Sequence, residues 1–79
     1  MSSGNAVLVV SKHCPACVKA KQIIYKLMKE GYLVRVEGIS LHPDVTVVPT
    51  LKVGGKRIKG LLSEEEYREI LKDWKIGIL

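Results

Sequence analysis

Residues 6–11, AVLVVS, form a short apolar run rich in β-branched side chains, with no polar residue before Ser11. A strand with one wet face alternates polar and apolar positions. This run does not, so it predicts a central strand buried on both faces, in a sheet that needs cover on each side. The periodicity then changes. From Pro15 to Glu30, the residues Cys17, Ala20, Ile24, Leu27 and Met28 recur at helical spacing, while Lys19, Gln22, Lys26 and Lys29 lie largely off that stripe. Proline suits the first helical position, where an N–H would have no partner, and Gly31 suits the position just past the helix end.

The remaining elements follow from the same signals. YLVRVEGI (32–39) predicts a second strand and SLHPDV a loop; VVPTLKV approaches a third strand, with Pro49 at its entry. Gly54-Gly55 is a two-residue hairpin turn, and KRIKG after it is an edge strand by its charges. Ser63 and Glu66 form a capping box for a last helix, Leu62 and Tyr67 a hydrophobic staple, and Tyr67, Ile70, Leu71 and Trp74 its buried stripe. The order is β-α-β-β-β-α, an α/β fold with a mixed sheet. A right-handed crossover makes the first two strands parallel neighbours. The hairpin lies on the other side of the first strand, and both helices pack on one face.

Seventy-nine residues predict one small domain spanning 1–79. Thirteen basic residues stand against eight acidic ones, but no nucleic-acid motif or interleaved aromatic platform accompanies them. The charge reads as a lysine-rich solvated face, or as a surface that steers acidic protein partners. No targeting segment or membrane-length apolar run is visible, which predicts a cytoplasmic protein whose thiols stay reduced.

The only cysteines stand as Cys14-Pro15-Ala16-Cys17. Cys14 falls at the helix N-cap, where the N–H groups of Ala16 and Cys17 and the helix dipole favour a thiolate; Lys12, Lys19 and a protonated His13 would push the same way. Cys17, one turn further in, falls on the buried stripe. This predicts a division of labour in which Cys14 attacks a substrate disulfide and Cys17 resolves the mixed disulfide. Two alternatives remain. A structural disulfide would close too small a loop to stabilise much. A zinc or copper carrier would use the same pair without redox turnover, and only His13 and His42 are at hand to complete a ligand set.

C-x-x-C between a strand and a helix, followed by TVVPTLKVGGKRIKGLLSEEEYREIL, resembles the thioredoxin superfamily and, within it, the glutaredoxins and their small relatives. The resemblance implies a minimal thioredoxin-like fold and a thiol–disulfide oxidoreductase that acts as an electron carrier. It implies catalytic roles for Cys14 and Cys17, and substrate contacts at Lys12, Pro15, Val48 and Pro49. Pro49 is expected to be cis, with the backbone of Val48 open to pair with a substrate peptide or glutathione. No bound cofactor or metal is implied. Glutathione or a flavoprotein reductase would restore the dithiol, and the partners would be proteins with disulfides rather than nucleic acid or membrane.

The chain departs from the glutaredoxin pattern at Ser11, where a lysine is usual, and at Lys59 and Leu61, which interrupt the usual Gly-Gly-acid stretch. The helix that family members carry between the second strand and the cis-proline is replaced by the short loop SLHPDVTVV. Its loss predicts an uncovered apolar patch on alternate residues of Val7–Val10 with Leu51 or Val53, a surface for a homodimer or partner. The alternative is that the loop and the tail IGIL fold over that face.

Overall fold

The computed structural model describes residues 6–78, with side chains described through Trp74. Its elements are β1 (Ala6–Val10), α1 (Pro15–Lys29), β2 (Val34–Gly38), a 3-10 turn (Ile39–Leu41), β3 (Thr50–Val53), β4 (Lys56–Lys59) and α2 (Glu64–Ile78). The sheet order is β2-β1-β3-β4, with β1 parallel to β2 and antiparallel to β3, and β3–β4 an antiparallel hairpin. This is the expected α/β mixed sheet in a minimal thioredoxin-like arrangement, with a short connection in place of the extra helix.

Local chemistry sets the element ends. After α1, Gly31 adopts φ +107°, and the amides of Gly31 and Tyr32 bond back to the carbonyls of Met28 and Leu27 at 3.0 and 3.3 Å. This reciprocal closure accepts a left-handed residue, which glycine supplies without steric cost. At the start of α2, Ser63 N donates to Glu66 Oε1 at 3.0 Å and Glu66 N donates to Ser63 Oγ at 3.2 Å, so the capping box is formed. Β2 is shorter than the sequence predicts because the chain turns into the 3-10 segment at Ile39.

The core lies between the sheet and both helices. Ala6, Leu8 and Val10 of β1 meet Cys17, Ala20, Ile24 and Leu27 of α1 and Tyr67 and Leu71 of α2, with Val34, Leu51 and Val53 at the sides. Met28, expected on the α1 stripe, is instead 38% exposed. The stripe already has Leu27 and Ile24 at its centre, and Met28 falls on its outer edge.

The opposite face corrects one expectation. The register pairs Leu8 with Leu51, so Leu51 belongs to the helix side; the far face carries Val7 and Val9 beside Arg35, Glu37, Thr50, Lys52 and Arg57. No uncovered apolar patch forms there among the described residues: Val9 is 0% exposed, and Val45 from the loop is buried with it. Loop 39–49 is the cover, and the face it leaves open is largely polar. The expected apolar patch is thereby replaced by the alternative of a covering loop; the side chains of the tail IGIL lie outside the described residues.

Charges hold this loop down. Glu37 Oε1 lies 2.7 Å from His42 Nε2, and Lys52 Nζ lies 3.1 Å from His42 Nδ1 and 3.2 Å from Asp44 Oδ2. Arg57 Nη1 completes the chain at 2.8 Å from Asp44 Oδ2. Lysine can only donate, so Nδ1 accepts and Nε2 carries the proton given to Glu37. Glu37 is held below the usual carboxylate range first by the His42 bond, and Asp44 first by Lys52.

The hairpin turn makes a testable contact. Gly54 (φ +52°) and Gly55 (φ +84°) are both left-handed, but only at Gly54 would a Cβ collide, 2.7 Å from the Trp74 ring. Gly54→Ala should therefore cost about 2–4 kcal/mol, the sum of backbone and overpacking effects, and Gly55→Ala about 1–2 kcal/mol from the backbone alone. Urea unfolding of the two variants checks this. Equal losses would show that Trp74 does not seat against the turn.

Candidate active site

The end of the sheet where β1 finishes gathers the chemistry-bearing residues. Β1 runs into Ser11-Lys12-His13, and His13 turns the chain with φ +58°, the one non-glycine positive φ among the described residues. That turn sets Cys14 in extended geometry at the N-cap of α1, with Pro15 at the first helical position. Β3 begins at the same end, because Val9 pairs with Thr50, so Val48 and Pro49 precede it there. The Val48–Pro49 bond is cis. Gly60 N donates to Pro49 O at 2.8 Å, which brings the close of β4 and the start of α2 to this end as well.

The two cysteines are free thiols in unlike surroundings. Cys14 is half-buried and accepts the backbone N–H of Cys17 at 3.2 Å. Its pKa lies below the ordinary thiol value. The largest cause is the Cys17 thiol donating to it; the backbone N–H groups of Cys17 and Ala16 add to this, and partial desolvation opposes it. Cys17 is 1% exposed. Burial pushes its thiol up, and giving its proton to the Cys14 bond pushes it further, against some relief from Ser11. The pair is thus split into a nucleophile ready to ionise and a partner that holds its proton. Lys12, Lys19 and His13, expected to help, do not figure among the causes acting on Cys14. The effect comes first from the Cys17 thiol and then from the N–H groups of the helix end.

The remaining candidates divide between this end of the sheet and the far face. Lys12 and Pro15 are exposed on either side of Cys14 in the chain, and Lys12 has no ion pair among the described residues. Val48 is half-buried against the core that also receives Cys14, whereas Pro49 is fully buried. Val47, just before them, is 43% exposed. His42, a candidate ligand on paper, is engaged by Glu37 and Lys52 on the far face. No group of three or more His, Cys, Asp or Glu converges as a metal set among the described residues. No helix among them is long and apolar enough to cross a membrane.

Tyr67 stands on the buried α2 stripe that the sequence predicts. Tyr67 is 1% exposed, and its hydroxyl is buried without a hydrogen-bond partner among the described residues. Its pKa is raised first by burial and further by charge on Cys17 and Glu66; the Leu62 amide, near the hydroxyl but outside hydrogen-bond geometry, opposes the rise.

Comparison with known proteins adds the following. No family model matches the chain. It is 32% identical over 71 residues to a 4-hydroxy-3-methylbut-2-enyl diphosphate reductase of Geobacter sp. (strain M21), a match that takes in 90% of this chain and 24% of the relative. The chain therefore spans about a quarter of the length of the curated relative it matches. Among solved structures, one described as a malarial protein superposes with a TM-score of 0.66 at 18% identity, covering 89% of this chain and 94% of the other. That likeness is one of fold.

Proposed function

We propose that the protein is a cytoplasmic thiol–disulfide oxidoreductase of the glutaredoxin-like kind. The Cys14 thiolate attacks one sulfur of a substrate disulfide and expels the other as a thiolate. Cys17 then attacks Cys14 in the mixed disulfide, releasing the second substrate thiol and leaving a Cys14–Cys17 disulfide. Two electrons pass from the dithiol to the substrate. An external thiol such as glutathione, or a flavoprotein reductase, restores the pair.

The observation that carries this reading is the opposed tuning of two cysteines one helical turn apart, Cys14 favoured as thiolate at the N-cap and Cys17 disfavoured in the core. Val47 and Val48, exposed and half-buried ahead of β3, offer backbone to an extended protein substrate beside the attacking sulfur. The relative named as a diphosphate reductase is matched over too little of its length to lend a substrate.

Alkylation separates the two thiols. With iodoacetamide across a pH series, Cys14 should react alone and at lower pH than a free thiol, because its thiolate persists there. Cys17, raised and buried, should stay unmodified until well above that range or until the chain unfolds. Peptide mapping by mass spectrometry reads the site. Alkylation of both cysteines together on the free-thiol profile, or of Cys17 first, would remove the basis of the proposal.

A further inference from the structure

The two outer strands of the sheet are not alike. In the order β2-β1-β3-β4, no further strand pairs with β2 or with β4 among the described residues. An open edge is a template for another chain unless its side chains oppose pairing. On β4, Lys56, Arg57 and Lys59 oppose it, since every antiparallel self-pairing centred on that strand sets a cation against a cation. On β2 the charges are one of each sign. Arg35 and Glu37 point to the same far face, opposite Val7 and Val9 in register, and lie 2.8 Å apart. A second β2 laid antiparallel and centred on Val36 puts each Arg35 opposite the partner's Glu37. Centred one residue earlier, Arg35 faces Arg35; centred one residue later, Glu37 faces Glu37. Opposite charges across a strand pair stabilise it and like charges oppose it, so a single two-fold register is favoured.

The same side of the molecule carries most of its exposed apolar surface. Trp74 of α2 meets Gly54 in the β3–β4 turn, so α2 lies over that half of the sheet and α1 over β1 and β2. Lys26 and Glu30 turn towards α2, in ion pairs with Glu64 and Arg68. Helical geometry sends Val18, Tyr25 and Met28 round to the other side of α1, towards the β2 edge, and all three are exposed. Leu33 and Leu41, just outside the two ends of β2, are the most exposed large apolar residues described, at 73% and 67%. We propose that the β2 edge and this side of α1 form the interface of a homodimer. A second copy pairs antiparallel with β2 about Val36, joining the two sheets into one and setting the α1 helices side by side over the seam. Two Arg35–Glu37 pairs lie on the far face, and each Leu33 meets the partner's Ile39–Leu41 segment. Strand β2 runs parallel to β1, whose last residue leads to Cys14, so the two-fold places the dithiols at opposite ends of the shared edge. Each stays open to substrate, and the inference stands apart from the dithiol mechanism.

Sedimentation velocity of the full chain, under reductant and over the micromolar to millimolar range, reads the association. Wild type should pass from monomer to dimer and no further. Arg35→Glu, at an exposed position, should raise the dissociation constant by about ten-fold or more, because both cross-strand pairs become repulsive. Glu37→Arg should do the same. An equimolar mixture of the two variants should recover the dimer, since every charged pair across the edge is then Glu against Arg. Tyr25→Asp should weaken association from the helix side with β2 unchanged. Circular dichroism and the rate of Cys14 alkylation should match wild type in each variant. Glu37 also holds His42, so if Glu37→Arg unfolds, Arg35→Glu alone decides. A wild type that stays monomeric throughout would overturn the proposal, as would a dimer that Arg35→Glu leaves intact. Growth beyond the dimer would mean head-to-tail pairing of β2 with β4 and would overturn the two-fold. Loss of the dimer in both folded variants without recovery in the mixture would overturn the register.

Discussion

Cys14→Ser should reduce insulin-disulfide reduction to the uncatalysed rate, whereas Cys17→Ser should attack normally and then stall as a mixed disulfide. The first expectation follows from the N-cap. The Cys17 N–H lies 3.2 Å from the Cys14 sulfur, and that donor has its value only when an anion forms there. A serine hydroxyl at the same place does not ionise near neutral pH, so the geometry survives and the nucleophile does not. The second follows from burial. With Cys17 gone, the chain has no second thiol to attack the Cys14 disulfide, so one substrate thiol stays bound per chain until an external thiol releases it. Mass spectrometry of each variant after exposure to an excess of insulin, without reductant, separates the outcomes. Cys14→Ser should carry no adduct and Cys17→Ser a single one removable by dithiothreitol. Full turnover by Cys14→Ser, or an adduct on it rather than on Cys17→Ser, would reverse the roles or end the mechanism.

The parts of this site that were legible in sequence are those set by local periodicity and capping. AVLVV followed by a proline at N1 and an apolar stripe led to β1, the cap and α1, and the Ser63–Glu66 box placed α2 within a residue of its start. What remained hidden depended on register. Apolar residues on both sides of β1 suggested a bare patch, but the alternation in VRVEG and TLKV puts Arg35, Glu37 and Lys52 on the far face, where Glu37 and Lys52 hold down the loop that supplies the cover in place of a helix. Pairing β1 with its neighbours residue by residue would have shown Leu51 turned towards the helices. The source of Cys14 acidity was legible in part. The N-cap position pointed to the Ala16 and Cys17 N–H groups, whereas the larger effect of the Cys17 thiol depends on a side-chain direction that a sequence does not record.

Val45→Asp should open the far face, with the largest loss of stability expected outside the helix-side core. Val45 is 6% exposed and Val9 beneath the loop is 0% exposed. A carboxylate cannot remain in that place unpaired, so either it is buried at heavy cost or the loop lifts and both valines meet water. Exposing a fully buried valine costs about 1.5–3 kcal/mol, and two of them, less the entropy the loop regains, amount to roughly 2–4 kcal/mol. For a domain of this size that lowers the melting temperature by about 10 °C or more. Val47→Asp is the matched control: same loop, same charge, but 43% exposed at the outset, so its effect should stay within about 0.5 kcal/mol. The same loop delivers the chain to Val48 and Pro49, so lifting it should also slow attack on an extended protein substrate, while leaving Cys14 alkylation by a small reagent nearly unchanged. If the two aspartate variants melted together, the loop would not be the cover, and the short connection between β2 and β3 would have to be explained without one.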